Sequence, residues 1–107
     1  ITLLESLADK YDTALIYASD HGESLGENGV YLHGLPYWMA PDAQTKVPML
    51  FWLSDDFSKH TKLHGNCLLQ NTNLSHDNIF DTVLSLFAVK TTQLRVELDV
   101  TSGCTNR

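Results

Sequence analysis

Asp20-His21-Gly22 combines residue types that can hold a divalent metal at a sharp turn. A carboxylate oxygen beside an imidazole nitrogen suits Zn²⁺, and the glycine lets the backbone turn or pass close to a ligand. A plain turn, with Asp20 capping the next helix and His21 exposed, uses the same three residues. His33 follows twelve residues later, between Leu32 and Gly34. The stretch from Ser19 to Pro41 holds Gly22, Gly26, Gly29 and Gly34 as well as Pro36 and Pro41, which predicts a long loop with room for a short helical turn. Loops of that length in a compact domain are usually functional. If this one folds back, His33 becomes a ligand, a phosphate contact or a general acid; alone in a loop it is a surface residue. Glu23 and Glu27 are candidates to orient His21 or His33 from behind, or else to cap a short helix in solvent. Tyr31, Tyr37, Trp38 and Met39 make an aromatic patch beside His33, suited to a lipid-facing surface or to packing the loop.

The elements that must position these residues are legible as patterns. Ala14-Leu15-Ile16-Tyr17-Ala18 is a continuous apolar run, which predicts a strand buried on both faces. Asp20 lies just past its carboxyl end, where open α/β sheets bind their ligands. Ile1, Leu4, Leu7, Ala8 and Tyr11 have helical spacing, so a helix feeds that strand. Val47 to Leu53 predicts a second buried strand with Pro48 at its entry and Met49, Phe51 and Trp52 in the core. Residues 54–74 are polar and receive no regular structure, with His60 and His64 exposed. Ser75 is a predicted N-cap, with Asp77 facing the positive end of the helix and His76 structural in its first turn. Ile79, Phe80, Val83, Leu84 and Phe87 then form an apolar helical stripe. Leu94–Leu98 suits a short strand.

Composition bounds the function. The 107 residues are 43% hydrophobic, a composition for one globular domain. A net charge of −6 and scattered basic residues argue against a nucleic-acid surface. No apolar run approaches the roughly 20 residues that span a bilayer. The opening Ile1-Thr2-Leu3-Leu4 reads as a helix entered partway, so the chain is expected to be cut from a longer one. Cys67 and Cys104 either close a disulfide, stabilising by roughly 3–4 kcal/mol, or remain two thiols. A bridge implies an oxidising compartment.

The stretch Ser-Asp-His-Gly-Glu-Ser-Leu-Gly-Glu-Asn-Gly-Val-Tyr-Leu-His-Gly-Leu-Pro, from Ser19 to Pro36, resembles the bacterial phosphoethanolamine transferases that modify lipid A. These include the enzymes of polymyxin resistance and belong to the alkaline phosphatase/sulfatase superfamily. The resemblance continues through Ala40-Pro41-Asp42, Val47-Pro48-Met49 and Ser75 to Leu84, and is weakest over 54–74 and after Thr91.

The resemblance implies an α/β fold, part of an α/β/α sandwich with a mostly parallel sheet. Residues 1–107 would be the C-terminal part of a sulfatase-like catalytic domain at the periplasmic face of the inner membrane. It implies a Zn²⁺ ion held by a Glu, a nucleophilic Thr and an Asp-His pair, which Asp20 and His21 match. His33 matches a histidine near the phosphoryl group, a substrate contact or a ligand of a further zinc. The Glu, the Thr, another histidine and a membrane domain lie upstream in the family's chain order, so these 107 residues are expected to be inactive alone. Phosphatidylethanolamine would be the donor and lipid A the acceptor. Two alternatives remain: a sulfatase- or phosphatase-type hydrolase, and a non-catalytic truncated product.

Overall fold

The computed structural model describes residues 1–70 and 73–104. Helical spacing at the start produces α1, Thr2–Ala8. The apolar run produces β1, Ala14–Ala18, which neighbours β4, Met49–Leu53, in a two-stranded sheet. Pro48 stands just before β4, where its missing N–H costs no ladder bond. Burial on both faces is not what the structure has. β1 is half-buried with Tyr17 exposed, and Met49, Phe51 and Trp52 are half-buried as well. A sheet of two strands leaves parts of its faces uncovered among the described residues.

The contacts divide the chain into two units, Ile1–Leu15 with Phe51–Arg107, and Ile16–Leu50. The core of the first is Phe57, Leu63, Leu68, Val100 and Cys104, with Ala14, Phe51, Leu53, Cys67, Leu74 and Leu86 packed against it. Three of those five core residues come from the segment expected to be irregular. That segment instead forms α3, Asp55–Thr61, and α4, Gly65–Leu68. The Ser54 hydroxyl starts α3 by accepting the Phe57 N–H at 3.2 Å, and it also accepts the Thr13 N–H at 3.2 Å. Asp55 and Asp56 occupy the first turn, where carboxylates favour the helix dipole. With Phe57 the only buried residue of α3, no apolar period was there to be seen. Asn71 and Thr72, which the expected irregular segment also covers, lie outside the described residues. Cys67 and Cys104 are joined by a disulfide.

The last helix, α5, runs Asp77–Leu86. Its N-cap is His76 and not the expected Ser75, which stands one residue earlier; the Ser75 hydroxyl accepts the Asp77 N–H at 3.2 Å, and the Asn78 side chain accepts the Ser75 N–H at 2.8 Å. The expected apolar stripe, however, is not the buried face. Phe80 and Phe87 are exposed, while Asn78, Asp81 and Thr82 are buried. These three polar side chains hold the following segment. Asn78 Nδ2 donates to the Leu98 carbonyl at 2.9 Å, Asp81 Oδ1 accepts the Arg95 N–H at 2.7 Å, and Thr82 Oγ1 accepts the Val100 N–H at 3.0 Å. Backbone groups committed in this way cannot join a ladder, so Leu94–Leu98 forms no strand and ends in a turn over 96–98.

The second unit is where the loop becomes structure. Ser24–Leu25 (β2) and Tyr31–Leu32 (β3) form an antiparallel hairpin, with Ser24 opposite Leu32 and Leu25 opposite Tyr31. A 3₁₀ turn, Glu27–Gly29, connects them, entered through Gly26 at φ 119°. A short helix, α2, Asp42–Thr45, follows.

Candidate functional site

The segment after β1 is held by what glycine permits. The Gly22 N–H donates to the Gln44 carbonyl at 2.9 Å, drawing this backbone onto α2. A Cβ at Gly22 would fall on the carbonyl oxygen of Ala43, so any larger residue forces the two segments apart. The backbone bends at Asp20 and leads into β2, so Asp20 caps no helix, and the side chains of Asp20 and His21 are exposed.

Their geometry favours one ligand atom on each. Asp20 Oδ1 accepts the His21 N–H at 3.1 Å, which leaves Oδ2 at 3.6 Å from His21 Nε2. His21 Nδ1 lies 2.9 Å from the Gly22 carbonyl oxygen. A carbonyl only accepts, so Nδ1 carries the proton and Nε2 keeps its lone pair. Two ligands of a tetrahedral zinc, each about 2.0–2.1 Å from the ion, stand about 3.3 Å apart. The Asp20–His21 pair is already close to that spacing.

The hairpin brings the second histidine to the first. Rings of His21 and His33 stack with centroids 3.8 Å apart and planes at 26°. His33 Nδ1 is 3.0 Å from Glu23 Oε2. Ligand atoms of His21, Glu23 and His33 all lie within 4.8 Å of one another. The donor set suits a divalent cation, with two imidazoles and a carboxylate on the same face and a second carboxylate, Asp20, beside His21. A cavity of about 220 Å³ adjoins both histidines, bordered also by Tyr37, Ala40 and Thr45. Glu27 is elsewhere engaged: its carboxylate accepts the Leu25 N–H at 2.8 Å and closes the hairpin turn. Its own backbone N–H and that of Leu25 hold this carboxyl below the usual range. Tyr31, Tyr37, Trp38 and Met39 are exposed, and so form a surface around His33 rather than a packed loop interior.

Gln44 carries no signal in the sequence, yet it is buried beside the site at 5% exposure, as is its partner Ser24 at 2%. Its Nε2 donates to Ser24 Oγ at 2.9 Å and to the Leu32 carbonyl at 3.0 Å. A single buried glutamine has no periodic pattern and no acid–base chemistry to mark it.

Comparison with known proteins gives this arrangement a context. The family described as Sulfatase matches residues 1–89. The chain is 50% identical over 107 residues to phosphoethanolamine transferase EptA of Escherichia coli K12, covering 97% of this chain and 20% of that protein. It is 46% identical over 89 residues to phosphatidylethanolamine transferase Mcr-1 of Escherichia coli, covering 83% of this chain and 15% of that one. Among solved structures, the soluble domain of lipooligosaccharide phosphoethanolamine transferase A from Neisseria meningitidis superposes with a TM-score of 0.89 at 38% identity, covering 99% of this chain and 34% of its own. The C-terminal periplasmic domain of phosphoethanolamine transferase EptC from Campylobacter jejuni superposes with a TM-score of 0.79 at 41% identity, covering 98% and 33%. The chain thus spans about a fifth of the length of the curated relatives it matches.

Proposed function

The chain belongs to the sulfatase family, and from that membership we propose that it is the part of a phosphoethanolamine transferase that contributes Asp20, His21 and His33 to a zinc-dependent phosphoryl-transfer site. The observation that carries this reading is the pairing of Asp20 Oδ2 with His21 Nε2 at 3.6 Å, with Nδ1 of the same ring turned to the Gly22 carbonyl. Names of the relatives, both sequence and structural, support the reaction class.

On this reading Asp20 and His21 are metal ligands, and they neutralise charge without attacking. A bound zinc supplies a lowered pKa to a hydroxyl it holds and offsets negative charge on the phosphoryl oxygens. His33 faces the same point from the hairpin. Glu23 fixes its proton on Nδ1, so Nε2 is presented to the phosphoryl group or to a further metal. The attacking threonine and a glutamate ligand come from elsewhere in the protein, so these 107 residues alone do not transfer. The donor is phosphatidylethanolamine and the acceptor lipid A, at the periplasmic face of the inner membrane. Support for that compartment comes from the Cys67–Cys104 disulfide, since such bonds persist in oxidising surroundings. No helix among the described residues is long and apolar enough to cross a membrane.

The test is mass spectrometry of lipid A from cells producing the full-length protein. The wild-type protein adds phosphoethanolamine, whereas Asp20→Ala and His21→Ala add none above background. Normal modification by either variant removes the proposed role of the pair.

A further inference from the structure

Gln44 borders the same cavity as His21 and His33, and its hydrogen bonds fall on the chain neighbours of all three clustered residues. Its carbonyl accepts the N–H of Gly22, the neighbour of His21, at 2.9 Å. Its Nε2 reaches Ser24, the neighbour of Glu23, at 2.9 Å, and the carbonyl of Leu32, the neighbour of His33, at 3.0 Å. Ser24 and Leu32 are also opposite each other in the hairpin. From this convergence we infer that Gln44 is the positioning residue that sets the spacing of His21, Glu23 and His33. The inference rests on reading that cluster as the metal and phosphoryl site.

Three physical points support it. The Leu32 carbonyl can only accept, so the amide must present its nitrogen there. That orientation leaves Oε1 of Gln44 buried without a hydrogen-bond partner among the described residues. An unsatisfied buried oxygen is unfavourable, so the two Nε2 bonds hold the amide against a cost. Leu32 itself sits at φ 64°, a conformation leucine rarely adopts. The donated bond from Gln44 fixes that peptide, and the next residue is His33. Lastly, Ser24 is 2% exposed, so the bond between its hydroxyl and Gln44 is shielded from competing water.

The test compares variants of the full-length protein by NMR, reading the nuclear Overhauser contact between the His21 and His33 rings. Gln44→Met keeps a long unbranched side chain and removes both donated bonds. It should lose the ring contact, and the zinc concentration at the midpoint of the ring-proton shifts should rise about 10- to 100-fold. Thr82→Val is the control, removing a buried hydrogen bond in the other unit; it should lower the melting temperature and leave the ring contact intact. A wild-type ring contact in folded Gln44→Met overturns the inference, as does equal loss in Thr82→Val. Should Gln44→Met fail to fold, Ser24→Ala removes one of the two bonds. A weakened contact then supports the inference, and a wild-type contact with a wild-type zinc midpoint overturns it. Absence of any zinc-induced shift in the wild-type full-length protein counts against the metal reading alone, because the metal-free ring contact still decides the role of Gln44.

Discussion

His33 Nδ1 lies 3.0 Å from Glu23 Oε2, a contact across the hairpin between residues ten apart in the chain. An ionised carboxylate can only accept, so the contact decides which ring nitrogen carries the proton. Nε2 is thereby left for chemistry. Glu23→Ala in the full-length protein should therefore lower kcat about 10- to 100-fold. Glu23→Gln, whose amide oxygen still accepts from Nδ1, should recover part of that loss. Steady-state kinetics on both variants makes the comparison, and equal defects in the two would mean that the carboxylate charge matters and orientation does not.

Gly22 makes a separate prediction about backbone approach. A Cβ there collides with the Ala43 carbonyl, and the N–H bond to Gln44 must lengthen or break. Forced displacements of this kind cost about 1–3 kcal/mol. Gly22→Ala should lower the stability of the chain by that order in urea titration and weaken zinc binding alongside. Unchanged values for both would show that the segment relaxes without disturbing the site.

The disulfide closes a loop between residues separated by 37 positions. Chain-entropy arguments give about 4 kcal/mol for a loop of that size. Denaturant titration with and without a thiol reductant should show a loss of that order. Cys67→Ser with Cys104→Ser should match the reduced protein. A double variant as stable as the oxidised chain would place the stability of this unit in its apolar core alone.

Acid should loosen the same unit through Asp81. This carboxylate is fully buried, accepts the Arg95 backbone N–H, and pairs through Oδ2 with the Arg95 guanidinium at 2.9 Å. The backbone N–H first, and the guanidinium with it, hold its carboxyl below the usual carboxylate range. A depressed folded pKa stabilises fully above the unfolded value of about 3.9 and is lost as pH falls through the folded one. The stability gap between wild type and Asp81→Asn should thus be constant above about pH 5 and shrink as pH falls below about 4. A gap that persists undiminished to pH 2 would contradict the assignment.

The parts of this molecule with strong local patterns were legible before any coordinates. The apolar run of β1, the helix that follows Ser75 and the glycine-rich stretch that carries His21 and His33 belong to that group. Three features were not. The helix α3 has a single buried anchor, Phe57, so its signal is the Ser54-Asp55-Asp56 start rather than a period. The buried side of α5 is polar, because Asn78, Asp81 and Thr82 satisfy the backbone of a segment 14 to 20 residues away. Long-range hydrogen bonding of that kind leaves no trace in hydrophobic spacing. Gln44 is the same case at the site. Its identity matters only through partners at positions 22, 24 and 32, which no window of sequence around residue 44 contains.

The most direct test of the central claim is the zinc content of the purified full-length protein, measured by mass spectrometry for three single variants. His21→Ala and Asp20→Ala should lose the ion that the pair is proposed to hold, and transfer with it. His33→Ala should keep that ion while activity falls. Loss of the same zinc in His33→Ala, or full retention of it in His21→Ala, would contradict the division of labour drawn here between the strand-end pair and the hairpin histidine.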